Sequence, residues 1–481
     1  MNYQNSMLDN QSNSNEFQNY DIVVYLGANT SKLLMDDILG INSNIGFIAS
    51  SLYDENIFNR FKNTQYMKSI INFDDGMHSD SGTIELTNID NFNNFSVIDK
   101  VLNDKNLPLL WSRFGSKIRN TNDIDRHEAS YSLIKSAIKT LICRNVKTIV
   151  FSYEPHNLPI YILKKVAIEL KISTLTMAIS PFSWRMFCVA SDNSIFYNKA
   201  LEGHKISKSV QILIKEKQSD YEIAKPFYEK RIQKDNIIKK YLNLAQINNW
   251  HPLRFFLGLY GKKNLDSLSI DRKSIYKTKY ISFFLQYQPE QTTLPDGGIF
   301  SNQLIALQAL YSAASKMGYS VVVREHPATF ESVFDYRWRS VNFYKKINKI
   351  GEKIFLDKLS NNPYDLINNS AAVASITGTV LLESLLLGKP AIAFGNHPLK
   401  GFDNKALIDN FTDEKELMNK MKEALDINHK NIVESASEYL NNAYYKTFGE
   451  ESDYCGNSKM SLDKLRVFRN NAMKGVIKKL N

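Results

Sequence analysis

Several short stretches of this 481-residue chain set reactive side chains at the end of a strand or turn. In VVVREHP (321–327) a β-branched run delivers Arg324, Glu325 and His326 to what should be the carboxyl end of a buried strand. Pro327 has no N–H, so it ends the ladder and fixes the exit. Open α/β sheets place ligands at that end. His326 there can donate to a phosphate oxygen, or protonate a leaving group near neutral pH. Arg324 can pair with the phosphate or buttress Glu325. Taken alone, the cluster fits a capped strand with solvated charges at least as well.

In SITGTVLLES (375–384) a strand feeds a glycine turn and the start of a helix. Free N–H groups and a partial positive charge favour anions there, so Ser375, Thr377, Gly378 and Thr379 form a candidate phosphate cradle. Gly378 allows close backbone approach, and the hydroxyls add donors. Glu383, one turn on from Thr379, is placed to accept from a ribose diol. Plain N-capping by Thr377 or Thr379 competes with this reading. Glu290 follows another strand in LQYQPEQTTLPDGG (285–298), although the Pro and Gly content also marks a turn. The first half offers Asp74 and Asp75 in INFDDG, and Glu154 beside His156 in FSYEPH. A carboxylate facing a cleft from there could act as general base on an acceptor hydroxyl. For the Asp-Asp-Gly stretch a simple turn is the rival. HExxH, GxSxG and GxxxxGK[ST] do not occur, which argues against zincin, α/β-hydrolase and P-loop chemistry.

The elements that must position these groups alternate. Short β-rich runs ending in polar residues at 20–32, 43–54 and 68–76, and strand patterns at 146–152 and 173–180, are interleaved with helical spacing at 126–145 and 160–172. A second alternating block runs from 278 to 398. Such alternation predicts parallel, doubly wound sheets. The expected organisation is a disordered tail (1–19), a Rossmann-like acceptor-side domain (20–202), a Lys-rich helical connection (203–275), a Rossmann-like nucleotide-binding domain (276–400) and C-terminal helices (401–481). The length suits two domains of roughly 200 residues each. Net charge is +10, which suits an anionic substrate or an anionic membrane face. No nucleic-acid recognition module is visible. Cys143, Cys188 and Cys455 are odd in number and far apart, so a reducing cytoplasm is expected. No apolar run reaches the ~18 residues a membrane span needs. The aromatic and basic stretch at 248–264 suits either a membrane-surface segment or a packed helix.

In order, QPE (288–290), REHP (324–327) and SITGTVLLESLLLGKPAIAFG (375–395) resemble the bacterial capsule polysaccharide biosynthesis family, which includes Kdo transferases. The resemblance is clearest over 278–400 and looser over 146–172. The His-Pro pair is also similar to that of bacterial sialyl- and polysialyltransferases. The resemblance implies a GT-B fold, two Rossmann-like domains with the site between them. It implies transfer of a 2-keto-3-deoxy sugar acid, Kdo or a nonulosonic acid, from a CMP donor to a glycan or lipid-linked oligosaccharide. His326 would contact the CMP phosphate, and Asp74 or Asp75 would be the base, with Glu154 its rival and Glu290 near the sugar. A lone phosphate implies no metal and no other cofactor. The implied place of work is the cytoplasm, with peripheral contact at the inner membrane face. Three alternatives stay open: a polyol-phosphate transferase using a CDP donor, a nucleotide-sugar 2-epimerase that converts a UDP-sugar with no acceptor, and a non-catalytic assembly or export partner.

Overall fold

The computed structural model describes residues 18–27, 32–50, 60–61, 70–74, 94–111, 123–197, 207–219, 252–270, 275, 277–288, 290, 292–330, 339–340, 342–449 and 461–481. Two sheets organise the chain. The first holds β1 (Ile22–Tyr25), β2 (Ile45–Ala49), β3 (Ile70–Asn72), β4 (Thr148–Phe151), β5 (Ser173–Ile179), β6 (Met186–Ala190) and β7 (Ile195–Phe196). Their spatial order is β3-β2-β1-β4-β5-β6-β7. The second holds β8 (Tyr280–Phe284), β9 (Ser320–Arg324), β10 (Ile354–Leu356), β11 (Ala372–Ser375), β12 (Ala391–Ala393) and β13 (Leu407–Ile408), in the order β10-β9-β8-β11-β12-β13. Every pairing in the second sheet is parallel. In the first, β1 to β5 pair in parallel and β6 and β7 add an antiparallel edge. The expected α/β, GT-B-like architecture is therefore present, helical C-terminal part included.

Parallel strands buried on both faces read as continuous apolar runs, which is why 321–323 is three valines. All five residues of β9 are buried. Helices between strands begin and end on local chemistry. Asn302 caps Gln303–Lys316 by accepting from Leu304 N at 3.2 Å, and Gly318 ends it at φ +82°. The β6–β7 hairpin was not expected. Its turn rests on Asp192, which accepts from Ser194 N, and on Asn193 at φ +65°.

The second sheet reaches Leu407–Ile408, beyond the boundary expected at Lys400. The helix Leu462–Leu480 does not extend that domain. Its Ala472, Met473, Val476 and Ile477 pack into the first domain's core with Val24, Met35 and Ile38. Lys474 pairs with Asp37 at 2.9 Å. The chain returns to the first domain through an arginine clamp. Arg185 donates to Thr447 Oγ1 at 2.8 Å, Thr447 O at 2.7 Å and Gly449 O at 2.9 Å, and lies over the Tyr444 ring. Of the aromatic stretch, Phe256 and Tyr260 on Pro252–Leu268 are exposed, while Leu265, just beyond it on the same helix, is buried in the second core. Among the described residues no helix is long and apolar enough to cross a membrane.

Candidate functional site

The carboxyl ends of both sheets open on one cavity of about 1000 Å³. Its first-domain wall includes Glu154, after β4, and Tyr161, Lys164 and Lys165 on the helix Leu158–Glu169. Spacings of three and four residues put those three on one face. Its second-domain wall includes Gln286, His326, Thr377, Gly378 and Thr379. These follow β8, β9 and β11, and β8 and β11 flank the point where the strand order reverses, the usual ligand crevice of such sheets.

His326 is held as a neutral donor. The Ala328 N–H donates to its Nδ1 at 3.2 Å, which leaves the proton on Nε2. Burial pushes its pKa down to about 4; Glu325 opposes the shift and Arg339 adds to it. Of its two expected roles, donation of a hydrogen bond to a phosphate oxygen is the one that this tautomer serves directly.

Glu325 and Arg324 turn out to be structural. The Glu325 carboxylate accepts from His326 N at 2.7 Å, Thr329 Oγ1 at 3.0 Å, Tyr344 Oη at 2.8 Å and Arg339 Nε at 2.8 Å. Arg339 also donates to Gln288 Oε1 at 2.7 Å and Gln286 O at 2.8 Å. One buried ion pair thus ties the exits of β8 and β9 together and fixes the His326 peptide. Arg324 donates to Asp357 Oδ2 at 2.6 Å and to the carbonyls of Lys358, Leu359 and Asn361. Its guanidinium clamps the loop after β10, so the expected phosphate contact is corrected.

The glycine turn is built differently from expectation. Ser375 Oγ donates to Phe284 O at 3.0 Å, and Thr377 Oγ1 to Thr292 O at 2.7 Å. Thr377 N donates to Gln286 Oε1 at 3.0 Å. Two of the three expected cradle hydroxyls therefore lock the turn to the β8 exit. Thr379 makes no side-chain cap bond, and the following helix is only Val380–Leu386. A Cβ on Gly378 would lie 2.9 Å from Ser375 Oγ, so the close approach needs glycine. Glu383 is not a free ribose acceptor: Lys217, on Lys208–Gln218, pairs with it at 2.5 Å.

The acidic candidates separate. Glu154 faces the cavity and pairs with Lys164 at 2.7 Å. Glu290 is exposed at the rim, bonded from Thr292 Oγ1 at 3.3 Å. Asp74 is fully buried, accepts from the Ser50 hydroxyl and does not line the cavity. Asp75 lies outside the described residues.

Two groups escaped the sequence. Arg339 sits in a stretch with no strand or turn pattern. Asp296 belongs to PDGG, which reads as a turn. It lines the cavity on the second-domain side, and its backbone carbonyl accepts from Asn396 N at 2.8 Å. Burial first, then the nearby Glu154 charge, raises its carboxyl to about 7; Lys400, Lys164 and Asn396 oppose this. Lys400, also at the cavity, has its own pKa lowered, chiefly by burial.

No family model matches the chain, and no curated protein matches it. Solved structures do. UDP-GlcNAc 2-epimerase from Methanocaldococcus jannaschii, in complex with UDP-GlcNAc and UDP, is 11% identical over 88% of this chain and 99% of that one, with a TM-score of 0.28. Anabaena Alr3699/HepE in complex with UDP is 11% identical over 96% and 98%, TM-score 0.30. UDP-GlcNAc 2-epimerase from Neisseria meningitidis bound to UDP-GlcNAc is 11% identical over 88% and 99%, TM-score 0.26. The expected CMP-dependent transfer of Kdo or a nonulosonic acid is not what these comparisons return: the named structures are UDP-GlcNAc 2-epimerases and a UDP complex of HepE.

Proposed function

We propose that the chain is an enzyme acting on a nucleotide sugar, and that it is a UDP-sugar 2-epimerase. The observation that carries the reading is a single cavity with proton-handling and hydrogen-bonding groups on both walls, Glu154 from the first domain and His326 from the second. Its volume is of the order a whole nucleotide sugar fills.

Epimerisation needs no acceptor. It removes a proton from the carbon beside the anomeric centre and returns one to the opposite face. That proton is not acidic, so its removal must accompany departure of the nucleotide. The C–H pair becomes a ring double bond while the anomeric C–O pair leaves on the diphosphate. Reversal with the proton on the other face completes the exchange.

In this reading Glu154 is the base, held in place at the cavity by Lys164 at 2.7 Å. The His326 Nε2–H and the N–H groups of Gly378 and Thr379 hold the departing diphosphate with donors already in place. The Lys217–Glu383 pair braces the nucleotide end. The premise of a lone donor phosphate falls with the CMP reading.

The test is incubation with UDP-GlcNAc and a panel of UDP-sugars in deuterated water, without acceptor, followed by proton NMR. Appearance of the 2-epimer with deuterium at the inverted carbon is expected. Glu154→Gln should lower kcat by at least about 100-fold and leave UDP affinity intact. Absence of exchange and of epimer across the panel refutes the proposal.

A further inference from the structure

The cavity holds a carboxyl that the mechanism above leaves unused. Asp296 stands on a turn closed by Gly297 N to Thr293 O at 3.1 Å and Gly298 N to Pro295 O at 2.9 Å. Asn396 N holds its carbonyl at 2.8 Å, and a Cβ on Gly395 would lie 2.8 Å from that same oxygen. The backbone of the turn is therefore pinned against the exit of β12. Across the cavity stand Glu154 and Lys164 of the first domain; Lys400 and Asn396 of the second complete the group's surroundings.

We infer that Asp296 is the second acid/base of this cleft, working opposite Glu154 from the other domain's wall. This deepens the epimerase reading and rests on it. Two carboxylates beside one cavity are costly to ionise together, and after burial the Glu154 charge is the next cause that raises Asp296. Glu154 has Lys164 in direct contact, while among the described residues Asp296 has no ion pair. Burial and the Glu154 charge bring Asp296 to about 7, where a carboxyl can both give and receive a proton. The two groups belong to different walls, which is what a reaction needs when it takes a proton from one face and returns one to the other. The exchange balances. Glu154 takes the proton of the substrate carbon, the Asp296 carboxylic acid delivers its own to the opposite face, and transfer from Glu154 back to Asp296 restores the pair. Epimerisation in the other direction runs with the roles exchanged.

The experiment combines turnover with direct titration of the carboxyl. Asp296→Asn is nearly isosteric, and Asp296→Glu keeps the acid if the turn tolerates it. We expect Asp296→Asn to lower kcat by at least about 100-fold with the UDP dissociation constant unchanged within about three-fold. Asp296→Glu should recover part of the loss. The inflection near neutrality in the wild-type pH profile should disappear in Asp296→Asn. Infrared difference spectra of the protein carrying carbon-13-labelled aspartate should show a carboxyl titrating near neutrality, absent in Asp296→Asn and shifted to lower pH in Glu154→Gln. Asp296→Asn retaining over half of wild-type kcat overturns the inference, as does an Asp296 carboxyl insensitive to substitution at 154. If the coupled titration is present but wild-type protein epimerises nothing, the carboxyl pair stands and the epimerase reading fails.

Discussion

Arg339→Met should be among the most damaging single substitutions in the second domain. The guanidinium makes two bonds to Glu325, at 2.8 and 3.2 Å, one to Gln288 Oε1 and one to Gln286 O. Both side chains of the pair are buried, at 2% and 0% exposure. Methionine fills much of the volume but leaves the Glu325 carboxylate without its counter-charge. Breaking a buried pair in this way typically costs about 3–5 kcal/mol. Glu325 would keep donors from His326 N, Thr329 Oγ1 and Tyr344 Oη, so the low end, ~3 kcal/mol, is expected. Arg339→Lys keeps the charge but not the fork and should lose about half as much. The double variant Arg339→Met/Glu325→Gln removes the stranded charge and should recover at least ~1 kcal/mol over the single one. Urea unfolding followed by far-ultraviolet circular dichroism measures all three. UDP affinity should fall in Arg339→Met because the His326 peptide loses its anchor. A loss below ~1 kcal/mol, or a double variant no more stable than the single, would refute the assignment of this pair as the clamp beneath the site.

His326→Gln preserves a neutral donor and should hold UDP within a few-fold of wild type, whereas His326→Ala should weaken it by roughly ten-fold, read by calorimetry. Stability should respond to acid in a defined window. The folded-state pKa of His326, about 4, lies below its ordinary 6.5, so its contribution is complete above about 6.5 and is lost as pH falls towards about 4. His326→Gln should lack that part of the acid-induced loss in Tm. Gly378→Ala should displace the turn through the 2.9 Å contact with Ser375 Oγ and cut UDP affinity at least ~ten-fold, with the circular dichroism spectrum unchanged. Glu383→Gln strands the half-buried Lys217 ammonium and should cost about 1–2 kcal/mol in urea unfolding, a loss that Lys217→Met partly reverses.

The strand ends were legible because each one marks a change of pattern. The valine run stops at Arg324, the Ala-Val-Ala-Ser run stops at the Thr377–Thr379 turn, and Thr-Ile-Val-Phe stops just before Glu154. Hydrophobic period and turn chemistry are local, so the two sheets and the wall positions of His326, Glu154 and Gly378 could be read from them. What each polar group does at those ends was not local. The bond from Thr377 N to Gln286 Oε1 joins residues 91 positions apart, and Arg324 meets Asp357 across 33. Nothing in SITG tells whether its hydroxyls face a ligand or a neighbouring strand. Arg339 became visible only when the chain folded its guanidinium under Glu325. Asp296 looks like any turn aspartate until the opposite domain brings Glu154 near it. The resemblance to CMP-dependent transferases rested on strand ends of this kind, which serve one phosphate or two alike.

The route of the chain through its two domains bears on its synthesis. A ribosome delivers β1 to β7 early, but the helix Leu462–Leu480 that covers Val24 and Met35 arrives only after the whole second sheet has been made. Until then one face of the first sheet presents an uncovered apolar surface, a state in which nascent chains recruit chaperones or aggregate. The first domain is therefore not a contiguous segment that could be cut out and expressed. A truncation before residue 462 would injure the sheet that begins at residue 22, more than 400 positions away in the sequence.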